Sequence, residues 1–375
     1  MIEPTQPQEE RVTDAVSEQG SRCPQCGGNW AFAPGTNALA CPFCKHHREI
    51  APDPNVFRGE LQFAAFVEHG LPAEHKHTFS VVQCTGCGAR PTLPPHGSAD
   101  VCPFCGAGLV IQGGSQAALL KPQSLLPFLV DSQQGNKLFR AWIRKRWFAP
   151  RGLKKYAQAE ERLRGIYIPY WTFDSNTFSR YTGARGNDYQ VTEWNTDVNG
   201  KSQTRTVTKT RWTPVSGQIT HRFDDVLVLA SRSLPKKYTD RLEPWDLSSL
   251  VPYDHRYLLG FQAETYQVAL PAGFGEAQQI MDQAIRLLIC RDIGGDRQRI
   301  DSLDTTHTDV TFKHLLLPVW VSAYTYRKSV YRFLVNGRTG EVQGERPYSW
   351  VKISLAILFC LAIVSIGIFL FLQTQ

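Results

Sequence analysis

Eight cysteines in two equal sets constrain this chain more than any other feature. The first set is Cys23-Pro-Gln-Cys26 and Cys41-Pro-Phe-Cys44, with fourteen residues between the two pairs. The second is Cys84-Thr-Gly-Cys87 and Cys102-Pro-Phe-Cys105, again with fourteen between. A Cys-x-x-Cys turn puts two sulfurs on one side of the backbone with amide N–H groups aimed at them, and two such turns close one tetrahedral four-thiolate site. Proline follows the first cysteine in three of the turns, and Gly27, Gly88 and Gly106 follow the second cysteine. A disulfide framework or a redox pair has no need of two equally spaced copies. The expectation is therefore two zinc ribbons holding two zinc ions. Cys23, Cys26, Cys41 and Cys44 form one site, and Cys84, Cys87, Cys102 and Cys105 the other. His46, His47, His75 and His77 lie nearby, but four cysteines already complete each site, so these are expected at the surface.

Thiolate sites need reduced cysteines, which places the N-terminal part in a cytosolic environment. Met1 to Gly20 is polar and acidic without an apolar stretch, which reads as a disordered tail and not as a signal peptide. The chain then divides into ribbon 1 at 21–48, a connector at 49–79 with a short helix near Glu60–Glu68, and ribbon 2 at 80–111. A linker with basic helices at 112–165 follows, then an α+β domain at 166–347 and a terminal segment at 348–375. The fold class is thus multi-domain: two small ribbons, a basic helical segment, an α+β domain with two related β halves, and a C-terminal transmembrane helix.

The basic segment has Ser132 as a helix N-cap, one helix to about Phe148 stopped by Pro150, and a second over Gly152–Arg164. Ten cations stand there against Glu160 and Glu161, interleaved with Phe139, Trp142, Trp147 and Phe148. Three readings fit: a solvated helix whose apolar stripe packs on its own domain, contact with anionic lipid headgroups, or contact with nucleic-acid phosphates. Arg140, Arg144, Lys145, Arg146, Lys154 and Lys155 are the candidates for contact with a membrane surface or an acidic partner.

From Ile166 the pattern is strand-like. Ile-Tyr-Ile-Pro-Tyr-Trp171 and Leu315-Leu-Leu-Pro-Val-Trp320 share one form and suggest an internal repeat. Asn199-Gly200 marks a hairpin turn, Thr204–Trp212 and Gln218–Leu229 read as strands, and Glu276–Arg291 reads as a helix. Asn336-Gly337 to Gly340 closes a second hairpin. Ile353 to Leu372 is twenty residues without a charge, enough to cross about 30 Å of hydrocarbon as a helix. Arg338, Arg346 and Lys352 lie on its near side and no charge lies beyond it, so the body is expected in the cytoplasm at the inner membrane.

No phosphate-binding P-loop, nucleophile elbow, zinc-protease helix or dinucleotide fingerprint occurs, and closed four-cysteine sites keep no open coordination position. Asp224 and Asp225 near His221 would point to opposite faces of a strand. The chain is read as a non-enzyme.

The paired Cys-x-x-Cys turns, IYIPYWTFD, LLLPVW and NGRTGEVQGERP before a terminal membrane helix together resemble a family of bacterial membrane-anchored TFIIB-type zinc-ribbon proteins of unknown activity. Its members are often labelled primosomal or helicase-like zinc proteins. The resemblance implies an adaptor in the membrane stress response, with phage-shock-type or flotillin-type partners. A membrane adaptor that recruits proteins is accordingly the leading expectation, and a membrane-tethered nucleic-acid-binding protein the alternative. Cys23 to Cys44 holds no Lys or Arg, and Cys84 to Cys105 only Arg90, which favours the adaptor.

Overall fold

The computed structural model describes residues 22–51, 59–70, 72, 75–92, 101–109, 115–146, 148–150, 153, 163–196, 202–326, 329–345 and 348–373. The N-terminal tail, Lys154, Lys155 and the Asn199-Gly200 turn lie outside these residues. Ribbon 1 carries a three-stranded antiparallel sheet, β1 (Ala31–Phe32), β2 (Ala38–Ala40) and β3 (His47–Glu49). There follow β4 (Leu61–Gln62), α1 (Phe63–His69), β5 (Lys76–Val81), β6 (Ser115–Leu120), β7 (Ser124–Leu125) and α2 (Ser132–Arg144). Two very long strands come next, β8 (Arg164–Thr196) and β9 (Ser202–Leu229), then the short helix α3 (Lys236–Thr239) and β10 (Val251–Pro252). The rest is β11 (Gln262–Ala263), α4 (Leu270–Ile293), β12 (Arg297–Tyr326), β13 (Ser329–Asn336), β14 (Val342–Gly344) and α5 (Trp350–Gln373).

Several sequence expectations change here. Asp131, not Ser132, caps α2: its carboxylate accepts the Gln134 N–H at 2.7 Å, and its charge suits the helix N-terminus. The helix ends at Arg144 and not at Phe148, because the Arg146 N–H turns back to Ile143 O and tucks Ala149 into the core. Arg164 opens β8 and does not end a helix. The strands expected at Thr204–Trp212 and Gln218–Leu229 are one, since β9 pairs with β8 along its whole length with a single register shift near Phe173. Beyond Gly186 and Trp212, among the described residues, only those two strands remain in the ladder, and ten residue pairs carry it about 33 Å further. The helix read from Glu276 begins at Leu270, with Pro271 in its first turn, where a missing N–H costs nothing. The connector supplies β4, which pairs with β12 at Gln62↔Thr311.

The two Pro-x-Trp segments lie side by side. β8 and β12 are antiparallel with Leu316↔Pro169, Leu317↔Ile168 and Pro318↔Tyr167, so a local two-fold axis passes between Ile168 and Leu317. β7 runs parallel to β12 at Leu315 and Leu316, and β11 parallel to β8 at Ile166 and Tyr167. Trp171 Nε1–H donates to Val268 O, and Trp320 Nε1–H to Val130 O, each at 2.9 Å. Each indole also lies against a helix glycine, Gly273 of α4 for Trp171 and Gly135 of α2 for Trp320. The correspondence therefore extends from the strands into both helices, with each tryptophan seated on the other half's helix.

Residues alternate across β8 and β12, and the ribbons use both faces. Cys23, Trp30, Phe32, Leu39, Cys41 and Ile50 share one buried cluster with Phe139 and Ile143 of α2 and with Leu125, Tyr167, Leu316 and Trp320. Cys84, Ala89, Cys102 and Phe104 share another with Leu126, Ile166, Ile168, Leu315 and Leu317. The ribbons expected as separate small domains are packed onto the body, one on each face of the central sheet. A ribbon this short buries little apolar surface by itself, so its inner face is completed by the sheet.

Candidate metal centres

Each Cys-x-x-Cys turn is closed by a backbone hydrogen bond from the residue after its second cysteine. Gly27, Lys45, Gly88 and Gly106 N–H donate to the carbonyls of Cys23, Cys41, Cys84 and Cys102 at 2.8–3.0 Å. All four donors have positive φ, between 63° and 77°, which explains why three of them are glycine. Lys45 is the exception, and accepts the left-handed conformation with a side chain attached.

The turns bring the eight predicted cysteines into two groups of four, and within each group the sulfurs all lie within 4.8 Å of one another. Cys23–Cys44 and Cys26–Cys41 are 3.5 and 3.4 Å apart, and Cys84–Cys105 and Cys87–Cys102 are both 3.6 Å. A tetrahedral thiolate site with metal–sulfur bonds of about 2.3 Å needs edges of about 3.8 Å. The two short edges of each donor set come within a few tenths of an ångström of that length. These are two tetracysteine sites of the kind that bind zinc. Such a metal, when bound, supplies folding free energy through four thiolate bonds and leaves no position for a substrate.

Within each site the surroundings pull the thiols in opposite directions: Cys41 and Cys87 are lowered, whereas Cys44, Cys102 and Cys105 are raised. The backbone N–H of Cys44 is the main cause that lowers the Cys41 thiol to about 6. Hydrogen bonding from Cys102 chiefly lowers Cys87 to about 5, and the same contact with burial raises Cys102. In both sites the first cysteine of each turn is buried and the second is more open. No histidine joins either group among the described residues; His46 instead packs on Trp30 at 5.7 Å, and His47 is exposed on β3.

The two sites share the turn Cys-Pro-Phe-Cys yet present it differently. Phe104 is fully buried in the cluster beneath ribbon 2, and its carbonyl accepts from Arg332 Nε at 3.1 Å. Phe43 is 75% exposed, its ring laid over Gly28. Ribbon 2 is therefore sealed against the body at this turn, whereas ribbon 1 holds an aromatic ring out to solvent.

The chain is similar to the uncharacterized protein YdjG of Bacillus subtilis (strain 168), with 28% identity over 334 residues, 89% of this chain and 91% of that one. No protein-family model matches the chain. No solved structure matches it.

Of the candidate contact cations, Arg140 is half-buried on α2, while Arg144 and Lys145 are exposed at its end. Arg146 turns inward: its guanidinium stacks over Trp142 at 4.5 Å and its Nε is buried. Trp142 itself packs on Phe333, so this part of the apolar stripe belongs to the core.

A polar cluster that sequence reading passed over joins Glu60, Asp174, Asp225 and Lys313. Lys313 Nζ lies 2.9 Å from both Glu60 and Asp225, and Asp174 accepts the Asp225 N–H at 2.8 Å. Asp225 takes a φ of 51° beside the register shift between β8 and β9, which turns it toward this group. Burial, then Glu60 and Asp224, raise the Asp174 carboxyl to about 6. Burial works against ionised Glu60, but hydrogen bonds from Thr311 and Lys313 outweigh it and lower its pKa. The lysine bridges Glu60 and Asp225, and the cluster serves as a half-buried ion-pair network tying the start of β4 to the sheet. Only the Asp224-Asp225 dipeptide signalled it in the sequence. His221 is exposed on β9 and meets the Phe223 ring edge-on.

α5 is 24 residues long, almost wholly apolar, and buries no residue against the chain. It is long and apolar enough to cross a membrane.

Proposed function

We propose that this protein is a membrane-anchored, non-enzymatic zinc adaptor in which ribbon 2 is structural and ribbon 1 is the docking surface. The observation that carries this reading is the contrast between Phe104, buried, and Phe43, 75% exposed, in the same Cys-Pro-Phe-Cys turn. A large exposed ring on a turn locked by metal is an anchor with little conformational entropy to lose on binding. Zinc fills both tetracysteine sites, and α5 spans the inner membrane with the body on the cytoplasmic side. The partners are proteins at that surface, phage-shock-type or flotillin-type by the resemblance drawn from the sequence. The test is affinity capture of the full chain from detergent-solubilised membranes, parent against Phe43→Ala. Loss of specific partners at unchanged zinc content supports the reading, and identical recovery sinks it.

One observation favours the nucleic-acid alternative. Lys45, His47 and Arg48, all exposed, follow Phe43 directly, and an aromatic ring among cations can stack bases beside phosphates. Tight binding of single-stranded DNA at physiological salt, abolished by Phe43→Ala, would replace the adaptor reading with this one.

A further inference from the structure

We propose that the end of α2 and the root of α5 form one surface seated on the headgroups of an anionic bilayer. The proposal rests on α5 being a membrane span, and names where the body meets the lipid. The root is hydrogen-bonded to the body. Ser349 N–H donates to Phe148 O at 2.9 Å, Ile353 N–H continues the helix to Ser349 O, and Lys352 Nζ donates to Ala149 O at 2.8 Å. Ala149 is buried in the cluster that also holds Cys23 and Cys41, so the mount is part of the core beneath ribbon 1. A span fixed in this way brings Arg144, Lys145, Phe148 and Ala149 to the level at which α5 leaves the membrane.

The chemistry at that level suits lipid. Phe148 is 38% exposed and Trp350 73%, aromatic rings at the depth where such rings partition. Arg144 and Lys145, four and three positions before Phe148 in the sequence, are exposed. No Asp or Glu occurs from Ser132 to Leu153, and none lies in the first turn of α5. Cations near an anionic leaflet attract it, and a surface continuous with the span keeps their local concentration high.

The experiment uses the full chain in liposomes of phosphatidylcholine with about 30% phosphatidylglycerol, a composition with a negative surface potential. Benzoylphenylalanine is placed at Phe148 in one sample and at Leu361, within the span, in another; irradiation and intact mass then report lipid adducts. Adducts are expected at both positions. Charge reversal by R144E with K145E, or omission of phosphatidylglycerol, should cut the yield at Phe148 several-fold and leave Leu361 unchanged. Adducts at Leu361 without adducts at Phe148, or a Phe148 yield indifferent to charge, would overturn the seat while leaving the span intact. Cross-links from Phe148 to a second copy of the chain would also overturn it. Absence of adducts at Leu361 would refute the span, and the seat with it.

Discussion

Truncating the two phenylalanines of the Cys-Pro-Phe-Cys turns separates a sealed ribbon from an open one. Phe104 is fully buried among Ile166, Leu317 and their neighbours. A buried phenylalanine removes roughly 150–200 Å² from water, which at about 25 cal/mol per Å² is worth ~4 kcal/mol. Measured Phe→Ala costs in cores fall in the same range of about 3–5 kcal/mol. Phe43 is 75% exposed and retains about a quarter of that burial, ~1 kcal/mol on the same scale. At about 2–4 °C per kcal/mol for a body of this size, Phe104→Ala should lower Tm by roughly 8–16 °C and Phe43→Ala by roughly 2–4 °C. The assay is thermal unfolding of the detergent-solubilised full chain by circular dichroism, with zinc release followed in parallel by a chromogenic chelator. Phe104→Ala should release one metal equivalent early, because the turn that carries it also carries Cys102 and Cys105. Equal shifts for the two variants would show that ribbon 2 does not lean on the body, and the distinction between a structural and a docking ribbon would fall.

Three further outcomes are expected. Gly273→Ala places a methyl 2.8 Å from Trp171 Cδ1, whereas Gly135→Ala meets Leu163 Cδ1 at 3.2 Å and Trp320 Cδ1 at 3.5 Å. The first should destabilise by about 1–3 kcal/mol, while the second, offset by alanine's helix preference of about 1 kcal/mol, should be near neutral in the same melts. Glu264 accepts from Ser231 Oγ at 2.6 Å and from Ser233 and Gln267, yet burial raises it from 4.5 to about 7. The folded state therefore holds a proton that the unfolded state releases: this contribution is full below pH 4.5 and declines as pH rises through 7. Glu264→Gln should flatten that decline relative to the parent in urea titrations at matched zinc content, and parallel pH profiles would refute the assignment. Chelation of both metals should loosen the body as well as the ribbons, since Cys41 shares a cluster with Tyr167 and Trp320. Hydrogen exchange should then rise in β8 and β12; protection there unchanged after chelation would contradict the shared packing.

The cysteine spacing, the terminal apolar run and the Pro-x-Trp segments were legible without coordinates because each reports local chemistry. A Cys-x-x-Cys turn imposes its own geometry, and the left-handed residue after the second cysteine follows from that turn, as Gly27, Gly88 and Gly106 show. Twenty uncharged residues from Ile353 carry their meaning in length and composition alone. Tertiary structure decided what depends on packing partners. Identical Cys-Pro-Phe-Cys turns gave one buried and one exposed phenylalanine, because the sheet's apolar face receives Phe104, whereas among the described residues Phe43 lies over Gly28 and stays 75% exposed. Arg146 looked like its neighbours Arg144 and Lys145 until the indole of Trp142 claimed its guanidinium. β9 read as two strands because long stretches of it face solvent on both sides, so alternation fades where only backbone pairing with β8 holds it. Glu60 and Lys313 stand 253 positions apart, and only the pairing of β4 with β12 brings them together. Local turns and composition speak through neighbouring residues; burial and charge pairing are set by residues that the fold, and not the chain order, makes neighbours.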